Sequence, residues 1–319
     1  SPGFASAGDA GWAAREAVAT EGGPDERVVV GAGYIGMELS TVFAKIGADV
    51  TVVGMLDAAL PVYDDDITRI VRSRAEDLGV EFRFGEGASE WREAEAGIEV
   101  ATETADGERA VYDADRVLVA VGRRPVTDTL GLDAIGLDPD DNGFLTTDDR
   151  TRTDLEHVYA VGDVAGGPML AHKASAEGIV AAETIAGMST TLDSQAIPAA
   201  VFTDPEIGTV GLTESEAVEA GYDPIVGEMP MRASGRALTM NESEGFVRLV
   251  GDGDTGSLLG GQVVAPEASE LIAEIGVAIE LGATVDDVAE TIHTHPTLSE
   301  ATMEAAENAM EQAIHTLNR

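Results

Sequence analysis

The chain contains no cysteine, so no intrachain disulfide can form and no thiol chemistry can come from its own side chains. Lysine is almost absent as well: Lys45 and Lys173 are the only lysines among 19 basic residues. Set against 59 acidic residues, these leave a net charge of −40. A surface of that sign repels phosphate backbones and anionic headgroups, which argues against nucleic acid or membrane as partners. Long apolar runs are missing too. None reaches the roughly 18 residues of a membrane span, and Ser1 to Arg27 lacks the basic start and apolar core of a signal peptide, so a soluble, cytoplasmic protein is expected. The loop-like opening Ser1-Pro2-Gly3 carries no initiator methionine; the expectation is a fragment or a processed product.

What is present separates the chain from acidic disordered proteins, because 44% of its residues are hydrophobic and fall in periodic runs. The acid is spread over the whole length rather than gathered into an interaction tail. It reads as a solvated, halophilic surface suited to a salty cytoplasm in which self-repulsion is screened. At about 150 residues per domain, the length corresponds to two or three domains.

After a lead in which only Trp12 to Val18 looks helical, the β-branched run Arg27 to Val30 meets Gly31-Ala32-Gly33-Tyr34-Ile35-Gly36. Met37 to Ile46 has helical spacing of apolar positions and stops at Gly47, and Val50 to Val53 is a second buried strand. Strand, glycine turn, helix and parallel strand make a dinucleotide-binding unit, in which glycines let the backbone approach a pyrophosphate resting on the helix N-terminus. The glycine pattern alone also occurs in tight turns that bind nothing; its setting favours the dinucleotide. One expected part is absent. The acid that normally meets the adenosine ribose is Gly54 here, and no Arg or Lys follows closely to greet a 2′-phosphate. Asp57 is either a substitute or a solvated loop acid.

A helix from Asp65 to Leu78, a strand at Val80 to Phe84 and short strands near Ile98 to Ala101 and Val117 to Val121 complete the unit. It ends at Gly122-Arg123-Arg124-Pro125, the strand-end edge where ligands sit in such sheets; the two arginines read equally as surface charge. A second glycine-marked strand end, Val158 to Asp163, leads into a helix from about Leu170 to Ile185. Asp163 beside a helix N-terminus suits a phosphate-bearing cofactor, or is a plain capping turn. From Gln195 onward the pattern becomes antiparallel strands (Ala199 to Phe202, Thr209 to Leu212, Ile225 to Met229, Gly245 to Leu249, Leu258 to Val264) with helices at Glu214 to Ala220, Ala268 to Leu281 and Ser299 to Leu317, an α+β arrangement.

Near the end stands His295-Pro296-Thr297-Leu298-Ser299-Glu300. A histidine fixed by a proline, with a carboxylate five residues on at a helix start, is the layout of an oriented general base. The bland alternative is a histidine that caps the helix. His293 adds a second imidazole, but no third ligand accompanies the pair, so no metal site is expected.

Together Gly31 to Glu38, Ala120 to Pro125, Tyr159 to Asp163, Pro168 to Ala174, Phe202 to Glu206 and His295 to Glu300 resemble the FAD-dependent pyridine nucleotide-disulfide oxidoreductases, and among them the dihydrolipoamide dehydrogenase group. The resemblance covers nearly the whole chain, in the family's order. It implies an α/β fold: a Rossmann-type NAD-binding domain over 27–124 after a linker over 1–26, a central remnant of an FAD-binding domain over 125–192, and an α+β dimer-interface domain over 193–319. NAD would contact Gly31, Gly33, Tyr34, Ile35, Gly36, Glu38, Gly54, Ala88 and Gly122. FAD would contact Asp163, Met169, Leu170, Ala171 and His172. His295, oriented by Glu300, would be the acid-base residue serving a disulfide of the partner subunit in a homodimer. The implied reaction passes electrons from dihydrolipoamide through a disulfide and FAD to NAD, and the implied partner is the lipoyl-bearing acyltransferase of 2-oxo acid dehydrogenase complexes. The departures are the missing FAD half with its cysteine pair, and Gly54. They keep open a second function class, a non-catalytic nucleotide-binding and dimerisation remnant.

Overall fold

The computed structural model describes residues 11–18, 26–95 and 97–318; most of the expected linker over 1–26 lies outside them. The chain divides into two compact units, residues 1–122 with 200–319, and residues 123–199.

The first unit begins with β1 (Gly11–Trp12), α1 (Ala14–Val18), β2 (Glu26–Val30), α2 (Tyr34–Lys45), β3 (Asp49–Gly54), α3 (Asp65–Asp77) and β4 (Glu81–Phe84). β5 (Glu86–Glu93), β6 (Ile98–Thr104), β7 (Arg109–Ala114) and β8 (Arg116–Val119) follow. β1, β8, β2, β3 and β4 pair in that order in one parallel sheet. Val28, Val29 and Val30 are buried, which explains why this central strand is an unbroken β-branched run. β5, β6 and β7 form a separate antiparallel sheet. The sequence reading found only part of β6 and attached it to the nucleotide unit; β5 and β7 escaped it because their solvent faces are charged. Cross-strand pairs Arg92–Glu99 and Arg109–Glu103 tie this sheet.

The second unit has a small core of Leu137, Leu145 and Ala160. Asp140 accepts the amides of Asn142 and Phe144, and Asp148 those of Arg150 and Arg152, so two Asx-type turns shape a segment with little regular structure. A 3₁₀ turn over Gly162–Ala165 precedes α4 (Ala171–Ile185).

The chain returns to the first unit through β9 (Ala199–Val201), β10 (Glu206–Gly211), α5 (Glu214–Glu219), β11 (Pro224–Pro230), α6 (Gly235–Met240), β12 (Phe246–Asp252), β13 (Leu258–Ala265), α7 (Ala268–Glu280), α8 (Val285–Glu290) and α9 (Glu300–Ala309). The antiparallel sheet runs β11-β12-β13-β10-β9. Its residues Val201, Ile207, Phe246 and Val264 share one core with Val29, Met37, Phe43 and Val52 of the parallel layer. Asp204 adds a charged tether, 2.8 Å from Lys45 on α2 and 3.4 Å from Arg74 on α3. Burial works against its ionisation, but Lys45 and then Arg74 outweigh it and hold the carboxyl below the usual range. The helix expected over Ser299 to Leu317 ends at Ala309, because Glu311 turns left-handed at φ 59° and Asn308 donates to the Leu317 carbonyl, folding the tail back. Among the described residues no helix is long and apolar enough to cross a membrane.

The charge has a thermodynamic consequence. With −40 on one chain, self-repulsion is expected to weaken the folded state until salt shortens the Debye length to about 3 Å at 1 M. Circular dichroism melts in potassium chloride are expected to show a midpoint that climbs with salt; a flat or falling midpoint would refute this.

Candidate functional site

The carboxyl ends of β2, β3 and β8 meet at one edge of the parallel sheet, with β2 between the other two, the switch point at which such sheets bind ligands. Gly31 closes β2 with φ 106°, and a Cβ there would stand 2.4 Å from the Ala120 carbonyl oxygen. A Cβ on Gly36 would stand 2.0 Å from the Gly31 carbonyl oxygen. Both glycines are therefore required by the protein's own packing. Gly33 is different: its φ is −75°, and nothing lies within 4 Å of where a Cβ would be. It caps α2 without a side-chain hydrogen bond, and the first turn of α2, which begins Tyr34-Ile35-Gly36, holds no acid. The positive end of that helix thus opens onto empty space, the arrangement that receives a phosphate.

Around this turn Tyr34 is exposed and Ile35 half-buried, and Gly122 stands just past β8 with φ 127° and open space above it. Gly54 ends β3; a Cβ there would meet the Phe84 ring at 3.7 Å and the Ala32 Cβ at 3.8 Å, ordinary contacts that leave room for a side chain. Asp57 is exposed in the following loop. Ala88 lies on β5 opposite Thr102. Glu38 accepts the Phe202 amide at 2.9 Å. Burial pushes its carboxyl up, and the Phe202 amide offsets only part of that.

In the second unit, Asp163 is ion-paired with Arg123, whose guanidinium also donates to the Met169 carbonyl at 2.7 Å. Leu170 caps α4, Ala171 and His172 open it, and the His172 ring lies 2.7 Å from the Pro198 carbonyl. The structure therefore gathers Asp163 with Met169. Arg123, which the sequence leaves open between surface charge and a place at the ligand edge, is the link between them.

Where the chain enters α9, the His295 ring Nδ1 lies 2.8 Å from Glu300 Oε1, and Glu300 Oε2 accepts the Thr297 amide at 2.8 Å. The imidazole is 77% exposed and the carboxylate 16%. Burial resists ionisation of Glu300, but the Thr297 amide and then His295 outweigh it and hold the carboxyl below the ordinary range. An ionised Glu300 can only accept, so Nδ1–H is the donor of this pair and, in the neutral ring, Nε2 is the nitrogen that carries no proton. His293 turns away from this dyad, to Glu274 on α7 at 2.6 Å.

Comparison with known proteins gives the family. A profile of the pyridine nucleotide-disulphide oxidoreductases matches residues 2–178, and that of their dimerisation domain matches residues 197–306. The chain belongs to the pyridine nucleotide-disulphide oxidoreductases. It is 65% identical over 319 residues to dihydrolipoyl dehydrogenase of Haloferax volcanii and 62% identical over 318 residues to that of Halobacterium salinarum, covering all of this chain and 67% of each relative. Among solved structures it is similar to LpdA from Mycobacterium tuberculosis, with TM-score 0.82 and 32% identity over 90% of this chain and 62% of that one. It is also similar to the HOCl-induced flavoprotein disulfide reductase RclA from Escherichia coli, with TM-score 0.86 and 26% identity over 96% of this chain and 69% of that one. The fold is therefore the family's, with a dinucleotide-binding layer and a C-terminal dimerisation domain, and the cofactors of this oxidoreductase family are FAD and NAD.

The open cradle at Gly33 fits a nicotinamide dinucleotide, and it gives a paired expectation. Gly33→Ala is expected to keep the fold and weaken NAD binding roughly 10- to 200-fold, the cost of one misplaced methyl group in a close-fitting site. Gly36→Ala is expected to destabilise the fold by about 1–3 kcal/mol through overpacking. Thermal melts and NAD titration separate the two; equal NAD affinity in wild type and Gly33→Ala would show that the cradle does not hold the pyrophosphate.

Proposed function

We propose that this chain is the NAD-binding, central and dimer-interface portion of a dihydrolipoyl dehydrogenase, an enzyme that oxidises dihydrolipoyl groups and reduces NAD. The reading is carried by the His295–Glu300 dyad, exposed in a chain 65% identical along its length to such an enzyme. In it, residues 27–124 hold NAD, 125–192 contribute to the flavin site and 193–319 form the homodimer interface.

Gly31, Gly33 and Gly36 shape the pyrophosphate turn, and Tyr34, Ile35 and Gly122 flank the nicotinamide end. Glu38 lies along that end, and Ala88 and the side-chain-free Gly54 lie toward the adenosine. Asp163 and the run Met169, Leu170, Ala171 and His172 form one wall for the flavin. Held by these residues, a flavin would supply two-electron transfer between a dithiol and the nicotinamide. His295 serves the thiol side across the dimer: its Nε2 takes the thiol proton, so that the nucleophile is a thiolate, and Glu300 fixes the tautomer that leaves Nε2 free. The chain has no cysteine, so the redox pair comes from residues outside these 319. The exposed dyad suits a lipoyl group carried on an acyltransferase of a 2-oxo acid dehydrogenase complex.

The test is complementation. Joined with a flavin-binding portion that bears a redox cysteine pair, the chain is expected to reduce NAD with dihydrolipoamide, while the cysteine-free chain alone gives no turnover. Turnover by the chain alone, or none by a flavin-loaded complex, would overturn the reading.

A further inference from the structure

Lys173 and Glu177 form an ion pair of 2.5 Å with only 7% and 8% of their side chains exposed. Three effects oppose a lysine here. It sits in the first turn of α4, where the helix dipole disfavours a cation. Lys preceding Glu at a four-residue spacing is the weaker orientation of such a pair. Burying both charges costs more than their attraction returns unless further hydrogen bonds complete them.

Those further bonds go to one loop. Glu177 Oε2 accepts the Gly162 amide at 2.7 Å, and Lys173 Nζ donates to the Gly166 carbonyl at 2.9 Å. The pair therefore grips both ends of the loop Gly162–Gly166, which carries Asp163. Gly162 and Gly166, at its two ends, lie at φ 73° and 79°, a region that glycine enters and leaves freely, while its middle is held by the Leu145 amide on Val164 and by Arg123 on Asp163. Two apolar side chains would pack α4 equally well but leave the Gly162 amide and the Gly166 carbonyl without these partners.

We propose that Lys173 and Glu177 are positioning residues whose buried pair clamps Gly162–Gly166 so that Asp163 is presented to a bound flavin. The proposal rests on the reading of Asp163 given above, and its test separates the two. The decisive variant replaces both charges, Lys173→Met with Glu177→Leu, because loss of one alone strands the other and could unfold the unit.

In the full chain, amide hydrogen exchange is read at Gly162, and in the flavin-loaded complex the dissociation constant for FAD is measured. The double variant is expected to melt no lower than wild type, yet to exchange Gly162 faster and bind FAD more weakly, each by about 10- to 100-fold, the effect of a lost charge-assisted hydrogen bond. Lys173→Arg is expected to retain most of both. Unchanged exchange at Gly162 would overturn the clamp itself. Faster exchange with unchanged FAD affinity would overturn the proposal, and FAD affinity in Asp163→Asn then tells whether the reading of Asp163 fails with it. A parallel loss of melting temperature and FAD affinity in the double variant would reduce the pair to ordinary fold support and overturn it as well.

Discussion

His295→Gln is expected to lower dihydrolipoamide-dependent NAD reduction by the complemented enzyme about 10²- to 10⁴-fold, the usual contribution of a positioned proton transfer. Glutamine retains a donor for Glu300 but offers no basic nitrogen in place of Nε2, so the contact survives and the chemistry does not. With the imidazole 77% exposed, the substitution leaves the core untouched, and flavin content and melting temperature are expected to stay at wild-type values. The loss should fall on kcat, since the proton moves only in the reacting complex. Glu300→Gln is expected to cost less, because it disturbs the tautomer but leaves the base in place. Stopped-flow reduction of the flavin by dihydrolipoamide reads the affected half-reaction directly. A loss below tenfold in that step would remove His295 from the mechanism.

That dyad was legible in the sequence because His295 and Glu300 are five residues apart, on a turn leading into a helix, so local geometry alone decides whether they meet. The same holds for the nucleotide layer. Its strands are buried β-branched runs and its helices end at glycines, and each expected boundary from Arg27 to Phe84 falls within three residues of the observed one. The long-range links were not legible. Arg123 reaches Asp163 across 40 positions, and nothing in Gly122-Arg123-Arg124-Pro125 tells a paired guanidinium from a solvated one. β1 is two residues long and exists only because Gly11 and Trp12 pair with Val117 and Leu118.

Other misses had different causes. β5 offers few apolar residues beyond Ala88 and Trp91, and β7 only the short inward row Ala110, Tyr112 and Ala114 between Arg109 and Asp113, so neither stands out from a charged loop. The C-terminus of α9 has neither glycine nor proline to announce it; a left-handed Glu311 and the tail's own hydrogen bonds end the helix instead. α8 was within reach of local reasoning: Thr284 and Asp287 form a reciprocal capping box, and the Thr-x-x-Asp spacing is visible in the sequence.

Arg248→Met is expected to destabilise the first unit by about 1–3 kcal/mol, between the cost of losing an exposed pair and that of breaking a buried one. On β12, Arg248 contacts Asp66 of α3, Glu228 of β11 at 2.8 Å, Gln262 of β13 at 3.0 Å and Asp64 at 3.6 Å, and it stacks on Phe246 at 4.4 Å. Its side chain is 15% exposed, and it joins the start of α3 to the antiparallel sheet where cations are scarce. Methionine keeps much of the packing on Phe246 but leaves Asp64, Asp66 and Glu228 facing one another. Those acids are between 36% and 50% exposed, so water screens part of their repulsion and the cost of breaking a fully buried pair is not reached. The loss is therefore expected to be larger in dilute buffer than in molar potassium chloride, where the Debye length shrinks to about 3 Å. Urea denaturation at two salt concentrations tests both statements, and Asp66→Asn in the Arg248→Met background is expected to recover part of the loss. A loss under about 1 kcal/mol would rank the cluster with ordinary surface pairs, and a loss independent of salt would assign it to packing rather than to charge.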